Sequence, residues 1–174
     1  MMQKMLLNER AGGGNIKIGV ISDSHDNMEA IRKAVEFFNS KDVDLVMHAG
    51  DIVSPFTADA FKELNCDMIL IYGNNDGDKL YLKERFRNIG TFYLDPYMAE
   101  IAGVKIAMTH KPEIVEALAT KYDIVIYGHT HEKDVRNEED ALIVNPGECC
   151  GYLTGVKSVA VISLEKKEAK IFEL

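Results

Sequence analysis

Ile16-Lys17-Ile18-Gly19-Val20-Ile21-Ser22-Asp23-Ser24-His25-Asp26-Asn27 joins a run of β-branched residues to a cluster of polar ones. The apolar run reads as a buried strand. Its polar end carries a carboxylate and an imidazole, Asp23 and His25, and then Asn27 at the head of a segment with helical spacing. Alone, Asp-x-His fits a helix cap as well as a metal site. The pattern gains weight by repetition. Asp44-Leu45-Val46-Met47-His48 is a second strand that runs into Gly50-Asp51. Asp67-Met68-Ile69-Leu70-Ile71-Tyr72 is a third, running into Gly73-Asn74-Asn75-Asp76. Further on, Val104-Lys105-Ile106-Ala107-Met108-Thr109 leads to His110, and Asp123-Ile124-Val125-Ile126-Tyr127 leads to Gly128-His129-Thr130-His131.

Helices are predicted over residues 27–39, with Met28, Ile31, Val35 and Phe38 at helical spacing, and over 56–64, 78–87 and 112–120. Residues 91–94, 97–101, 133–136, 141–144, 158–164 and 167–172 read as further strands, with a tight turn at Ala102-Gly103. Alternation of strand and helix in the first half favours parallel pairing. The β-rich second half reads as largely antiparallel. The expectation is an α/β fold, two mixed sheets packed face to face with helices outside, forming one domain over residues 16–174. Residues 1–15, with Ala11-Gly12-Gly13-Gly14, read as a flexible N-terminal extension.

At 174 residues with 47% hydrophobic and 28% charged side chains, the composition is that of an ordinary globular domain. No stretch approaches the ~18 consecutive apolar residues of a membrane span. The first fifteen residues hold Lys4, Glu9 and Arg10 and no signal-like apolar core, so a cytoplasmic protein is expected. A net charge of −8 argues against coating long nucleic acid. It leaves room for a small phosphorylated substrate, because bound divalent cations reverse the local charge. Cys66, Cys149 and Cys150 form no disulfide framework and no C-x-x-C zinc motif, and are expected as reduced thiols.

Ligands in open α/β sheets bind beyond the carboxyl ends of strands. Five strand ends here deliver a metal-capable residue to that side, and four of the five histidines are among them. Singly, Gly-Asp and Asn74 are ordinary turn residues, and His110 is an ordinary core or loop histidine. Gly-His-x-His is stronger, since alternate residues of an extended segment share one side. Together they predict a metal site of carboxylate, amide and imidazole donors, which suits first-row ions better than a thiolate site would. His48 is expected in the core, and Asp76 as a helix cap or a partner to a ligand.

These motifs, in this order, resemble the calcineurin-like metallophosphoesterase superfamily from Ile16 to about Gly151. The short chain and Asn145-Pro146-Gly147 resemble its small archaeal and bacterial phosphodiesterase branch. The resemblance implies a four-layer α/β/β/α sandwich. It also implies two divalent ions, manganese or nickel first, with iron, cobalt or zinc as alternatives. Asp23, His25 and His131 would hold one, Asn74, His110 and His129 the other, and Asp51 would bridge them. Asp51, Asn75 and His110 are the implied catalytic residues, and a hydroxide activated by the dinuclear centre would attack phosphorus in line. The implied activity is a metal-dependent phosphodiesterase acting on a small phosphate ester, without a membrane or stable long nucleic acid as partner. A phosphomonoesterase or pyrophosphohydrolase with the same site is the enzymatic alternative, and a scaffold resembling the retromer subunit is the non-catalytic one. Exposed strand edges make a homodimer plausible. One departure stands out: many members have His where this chain has Asn75, and asparagine cannot serve as an acid.

Overall fold

The computed structural model describes residues 15–174, so the expected extension lies outside it except for Asn15. Asn15 Oδ1 accepts hydrogen bonds from Ser163 Oγ at 3.0 Å and the Glu165 amide at 3.3 Å.

Strand alternation decides what each face buries. In β1 (Lys17–Ile21), Ile18 and Val20 point to one side and Ile21 to the other. In β2 (Leu45–His48) and β3 (Asp67–Ile71), Leu45, Met47, Ile69 and Ile71 share the side of Ile18 and Val20, while Val46, Met68 and Leu70 share that of Ile21. With β4 (Gly90–Tyr93), these strands run parallel, and β10 (Ser158–Ser163) and β11 (Glu168–Glu173) extend the sheet antiparallel in the order β11-β10-β1-β2-β3-β4.

The second sheet has the order β5-β6-β7-β9-β8, formed by β5 (Tyr97–Ile101), β6 (Val104–Thr109), β7 (Ile124–Tyr127), β8 (Lys133–Glu138) and β9 (Ala141–Pro146). Its Ile106, Met108, Ile124, Ile126, Leu142 and Val144 meet Ile18, Val20 and Met47 in one core between the sheets. The outer face of the first sheet is covered by α1 (Met28–Ser40), α2 (Ala58–Phe61) and α3 (Lys79–Arg85), which bury Ile31, Val35, Phe38, Phe61 and Leu82. On the outer face of the second, Val115 of α4 (Val115–Ala119) packs on Val125, Tyr127 and Ile143. The architecture is the expected α/β/β/α sandwich of two mixed sheets.

One expectation is refined and one changes. The second half is antiparallel in most of its pairs, β5–β6, β8–β9, β10–β11 and β1–β10, but β6 pairs β7 and β7 pairs β9 in parallel. A crossover through α4 joins β6 to β7, and β8 is displaced to the edge, so β9 returns beside β7. The helices read at 56–64 and 112–120 shrink to 3-10 turns at Pro55–Thr57 and Pro112–Ile114 followed by α2 and α4. Among the described residues, no helix is long and apolar enough to cross a membrane. The carboxyl ends of β1, β2 and β3 and those of β6, β7 and β9 open on one end of the sandwich.

Candidate metal centre

The ends of β1, β2 and β7 leave their sheets through sharp turns. Asp23, His25, Asp51, Val53, His129 and His131 all have positive φ, between 45° and 74°. Non-glycine residues rarely adopt this region, and each such residue costs on the order of 1–3 kcal/mol. Buried hydrogen bonds hold the turns. Asp76 is buried and its carboxylate accepts from the amides of Asp51 (3.1 Å), Ile52 (2.8 Å), Val53 (2.6 Å) and Gly73 (2.7 Å). It therefore shapes the Asp51 loop and is not a helix cap; Asp78 caps α3 and Asn27 caps α1. Close approach explains two glycines. A Cβ on Gly128 would lie 2.0 Å from Ser22 Oγ, and one on Gly73 would lie 2.2 Å from Asp51 Oδ1.

The residues singled out from the sequence come together in two adjoining groups. Ligand atoms of Asp23, His25 and His131 lie within 4.8 Å of one another, as do those of Asp23, Asp51 and His110. In the first group, Asp23 Oδ2 accepts from Ser22 Oγ at 2.5 Å and from the His129 amide at 3.0 Å, leaving Oδ1 facing His131 Nε2 at 3.4 Å. In the second group, Asn74 Oδ1 lies 2.9 Å from His110 Nε2 and 2.8 Å from His129 Nδ1. Asp51 Oδ2 stands between the groups, 3.9 Å from His25 Nε2 and 3.5 Å from His110 Nε2. Asn75 donates to the same carboxylate twice, from its amide to Oδ1 at 2.8 Å and from Nδ2 to Oδ2 at 2.7 Å.

A cation suits this donor set. Asp23 Oδ1 and His25 Nε2 are buried without a hydrogen-bond partner among the described residues. His110 Nδ1 lies 2.7 Å from the Ala49 carbonyl, which can only accept, so Nδ1 carries the proton. In the neutral ring the Nε2 lone pair then faces Asn74 Oδ1, and two acceptors at that separation need a shared positive partner. Without one, burial opposes charge on His110, but Asp51 and Asp23 outweigh it and raise its pKa. Burial likewise works against ionised Asp51, and hydrogen bonds from His110 and Asn75 reverse the balance, holding its pKa below the usual carboxylate range. Asp23 is raised, because burial outweighs its partners.

His48 falls outside both groups, as expected. Its Nδ1 accepts from the Gly50 amide at 3.2 Å, so Nε2 donates to Ser24 Oγ at 2.8 Å. Burial pushes its pKa from 6.5 down to about 3. A histidine with a depressed folded pKa resists protonation that the unfolded chain accepts. Its contribution to stability is complete above pH 6.5 and declines toward about pH 3, by about 1.4 kcal/mol per pH unit. His48→Gln is expected to flatten this acid limb in urea titrations of chelator-treated protein. Asp51 and Glu148, whose pKa values are lowered, steepen the same limb in both proteins, so the difference from the parent is the quantity to read. An identical slope in parent and variant would remove this account.

Glu148 was missed as a participant by the sequence reading. It follows β9 as the candidate ligands follow their strands, is fully buried, and accepts from His131 Nδ1 at 2.7 Å. His131, Glu148 and Cys150 also bring ligand atoms within 4.8 Å of one another. That cluster is satisfied by hydrogen bonds: Cys150 Sγ donates to Glu148 at 3.2 Å, and burial pushes the thiol up to about 12. Beside the second group lies a cavity of about 580 Å³ lined by Asn74, His110, His129, Lys79, Lys111 and Leu94, among others.

Residues 16–167 match the calcineurin-like phosphoesterase superfamily domain. A phosphodiesterase of Methanocaldococcus jannaschii is 45% identical over 159 residues, covering 88% of this chain and 96% of that protein. A solved structure described as a novel archaeal phosphodiesterase superposes with a TM-score of 0.86 at 43% identity, covering 91% of this chain and all of that one. Vacuolar protein sorting 29 from Cryptosporidium parvum shares the fold at a TM-score of 0.65 with 16% identity, over 93% of this chain and 98% of that one.

Proposed function

The chain belongs to the calcineurin-like phosphoesterase superfamily, and on that footing we propose that it is a phosphodiesterase working with two divalent ions, manganese or nickel first. The observation that carries this reading is the pair of buried, unpartnered atoms Asp23 Oδ1 and His25 Nε2, beside a second set of acceptors around Asn74. Asp23, His25 and His131 would hold one ion and Asn74, His110 and His129 the other, with Asp51 shared. When bound, such ions act as Lewis acids toward phosphate oxygens and make water a nucleophile near neutral pH.

The protein's own groups set the rest. The Ala49 carbonyl and the Glu148 carboxylate keep protons on Nδ1 of His110 and His131, leaving Nε2 of each ring free to bind. Asn75 pins both oxygens of Asp51 and lies exposed at the cleft, where its amide can also donate to a phosphate oxygen. The cavity beside the Asn74 group has room for the second ester group of a diester, with Lys79 and Lys111 on its wall. A monoester leaves that space unused.

The test is hydrolysis of bis(p-nitrophenyl) phosphate and p-nitrophenyl phosphate by chelator-treated protein supplied separately with Mn²⁺, Ni²⁺, Co²⁺, Mg²⁺ and Zn²⁺. The diester is expected to turn over faster. Faster monoester turnover would replace the reading with a phosphomonoesterase, and no turnover with any ion would favour a binding scaffold. With no acid at Asn75, rates across a diester series should fall steeply as the leaving group becomes more basic. Asn75→His should restore part of the loss, which general acid catalysis sets at about 10²–10⁴-fold for poor leaving groups.

A further inference from the structure

Glu148 is surrounded by donors. Its Oε1 accepts from the Leu153 and Thr154 amides and from Thr154 Oγ1. Its Oε2 accepts from the Tyr152 amide at 3.1 Å, Cys150 Sγ at 3.2 Å and His131 Nδ1 at 2.7 Å. A carboxylate oxygen only accepts, so His131 carries its proton on Nδ1, and Nε2 is turned to Asp23 Oδ1 at 3.4 Å. The loop after Glu148 has ties of its own. Cys149 and Cys150 donate backbone bonds to Ser22 and Asp23 at 3.0 Å each, Asn27 Nδ2 donates to the Cys150 carbonyl, and Tyr152 Oη donates to Asp26.

The two ion positions are unequal in this respect. On the Asn74 side, His110 Nδ1 faces a neutral backbone carbonyl, and His129 presents Nδ1 to Asn74 with no carboxylate on its ring among the described residues. A carboxylate behind an imidazole fixes its tautomer and orientation and raises its basicity more than a neutral acceptor does. On the Asp23 side, a buried carboxylate supports a ring that already points at a second one.

We propose that Glu148 is the positioning residue for His131, and that through it the Asp23–His25–His131 position binds its divalent ion more tightly than the Asn74–His110–His129 position. The assignment rests on the two-ion reading above. It predicts stepwise loading, with the first ion entering the Asp23 side.

The experiment is Mn²⁺ binding to the full-length chelator-treated protein, followed by calorimetry and by the electron paramagnetic resonance signal of free Mn²⁺, together with long-range ¹H–¹⁵N correlation of the histidine rings in the ion-free protein at mildly alkaline pH. The unsubstituted protein should bind in two steps, and His131 Nε2 should resonate as an unprotonated nitrogen. Glu148→Gln keeps an acceptor oxygen for the loop but removes the charge. It should weaken the tighter step about 10- to 100-fold and leave the weaker step in place. A variant that binds both ions as the parent does, a single affinity for both ions in the parent, or a His131 proton on Nε2 would each overturn the proposal. The tautomer measurement needs no variant, so it decides the matter if Glu148→Gln fails to fold. Absence of any Mn²⁺ binding by the parent would sink the two-ion reading itself, while the His131 tautomer would still report whether Glu148 holds the ring.

Discussion

Asp51→Asn is expected to lower kcat/KM for an activated phosphodiester by about three orders of magnitude and to reduce the bound divalent ion. The Asp51 side chain lies between imidazoles of the two sides, with Oδ2 at 3.9 Å from His25 Nε2 and 3.5 Å from His110 Nε2. Asn75 donates to both of its oxygens, so an amide at position 51 must set its NH₂ against either the Asn75 backbone amide or, on the side of the histidines, the Asn75 side-chain amide. Either way the negative charge is gone and an N–H takes the place of an acceptor. Ion stabilisation of a phosphoryl transition state is worth several kcal/mol, and ~4 kcal/mol corresponds to about 10³ in rate. The backbone tolerates the change, since Asn is among the residues that accept the left-handed region Asp51 occupies at φ 58°. The folded fraction should therefore match the parent. A kcat/KM within tenfold of the parent at saturating Mn²⁺ would end the bridging assignment.

Asp76→Ala is expected to be the most destabilising single change at this end of the molecule. Four amides, the buried ones of Asp51, Ile52 and Gly73 and the partly buried one of Val53, lose their acceptor together. An unsatisfied buried donor costs about 1–3 kcal/mol. Water entering the space recovers part of this, which leaves a net loss of roughly 3–5 kcal/mol. For a chain of this size each kcal/mol moves the melting temperature by about 2–4 °C, so a fall of roughly 10 °C is expected in thermal unfolding of ion-free protein. Asp76→Asn keeps one acceptor oxygen and should lose about half as much. A melting temperature for Asp76→Ala within ~2 °C of the parent would show that the carboxylate does not organise the loop. The two substitutions separate in sign of effect: Asp51→Asn removes function from a stable fold, while Asp76→Ala removes the support on which the Asp51 turn depends.

Most of the fold, and the convergence of the candidate ligands, was legible because the information is local. β-branched runs form strands buried on both faces, as unbroken apolar runs predict, and the residues just past Ile21, His48, Ile71, Thr109 and Tyr127 are the ones gathered at the centre. What could not be read depends on pairing between distant segments. The strand read at 141–144 continues to Pro146 and lies parallel to β7. Had that register been visible, Glu148 would have stood out as the residue past one more strand end on the same side. Asp76 was read as a helix cap or a partner to a ligand, and the choice between the two turned on partners 23–25 residues away on the Asp51 loop. Helix lengths at 56–64 and 112–120 were overread because a proline at the first turn marks a start and says nothing about how many turns follow. Asn75 was read as a missing acid; its hydrogen bonds to both oxygens of Asp51 needed coordinates.

The run of left-handed residues at the strand ends has a consequence for how this protein can change. At Asp23, His25, Asp51, His129 and His131 the backbone conformation that delivers the side chain is one that glycine would occupy without strain. Selection acting on thermal robustness alone therefore favours erasing the imidazole at positions 25, 129 and 131, because the same substitution relaxes the turn and removes a proposed metal ligand. The hydrophobic layers carry no such conflict. Improvement of this enzyme for hardiness has to be sought between the sheets, and a library scored without an activity readout will drift toward a sturdier, empty sandwich.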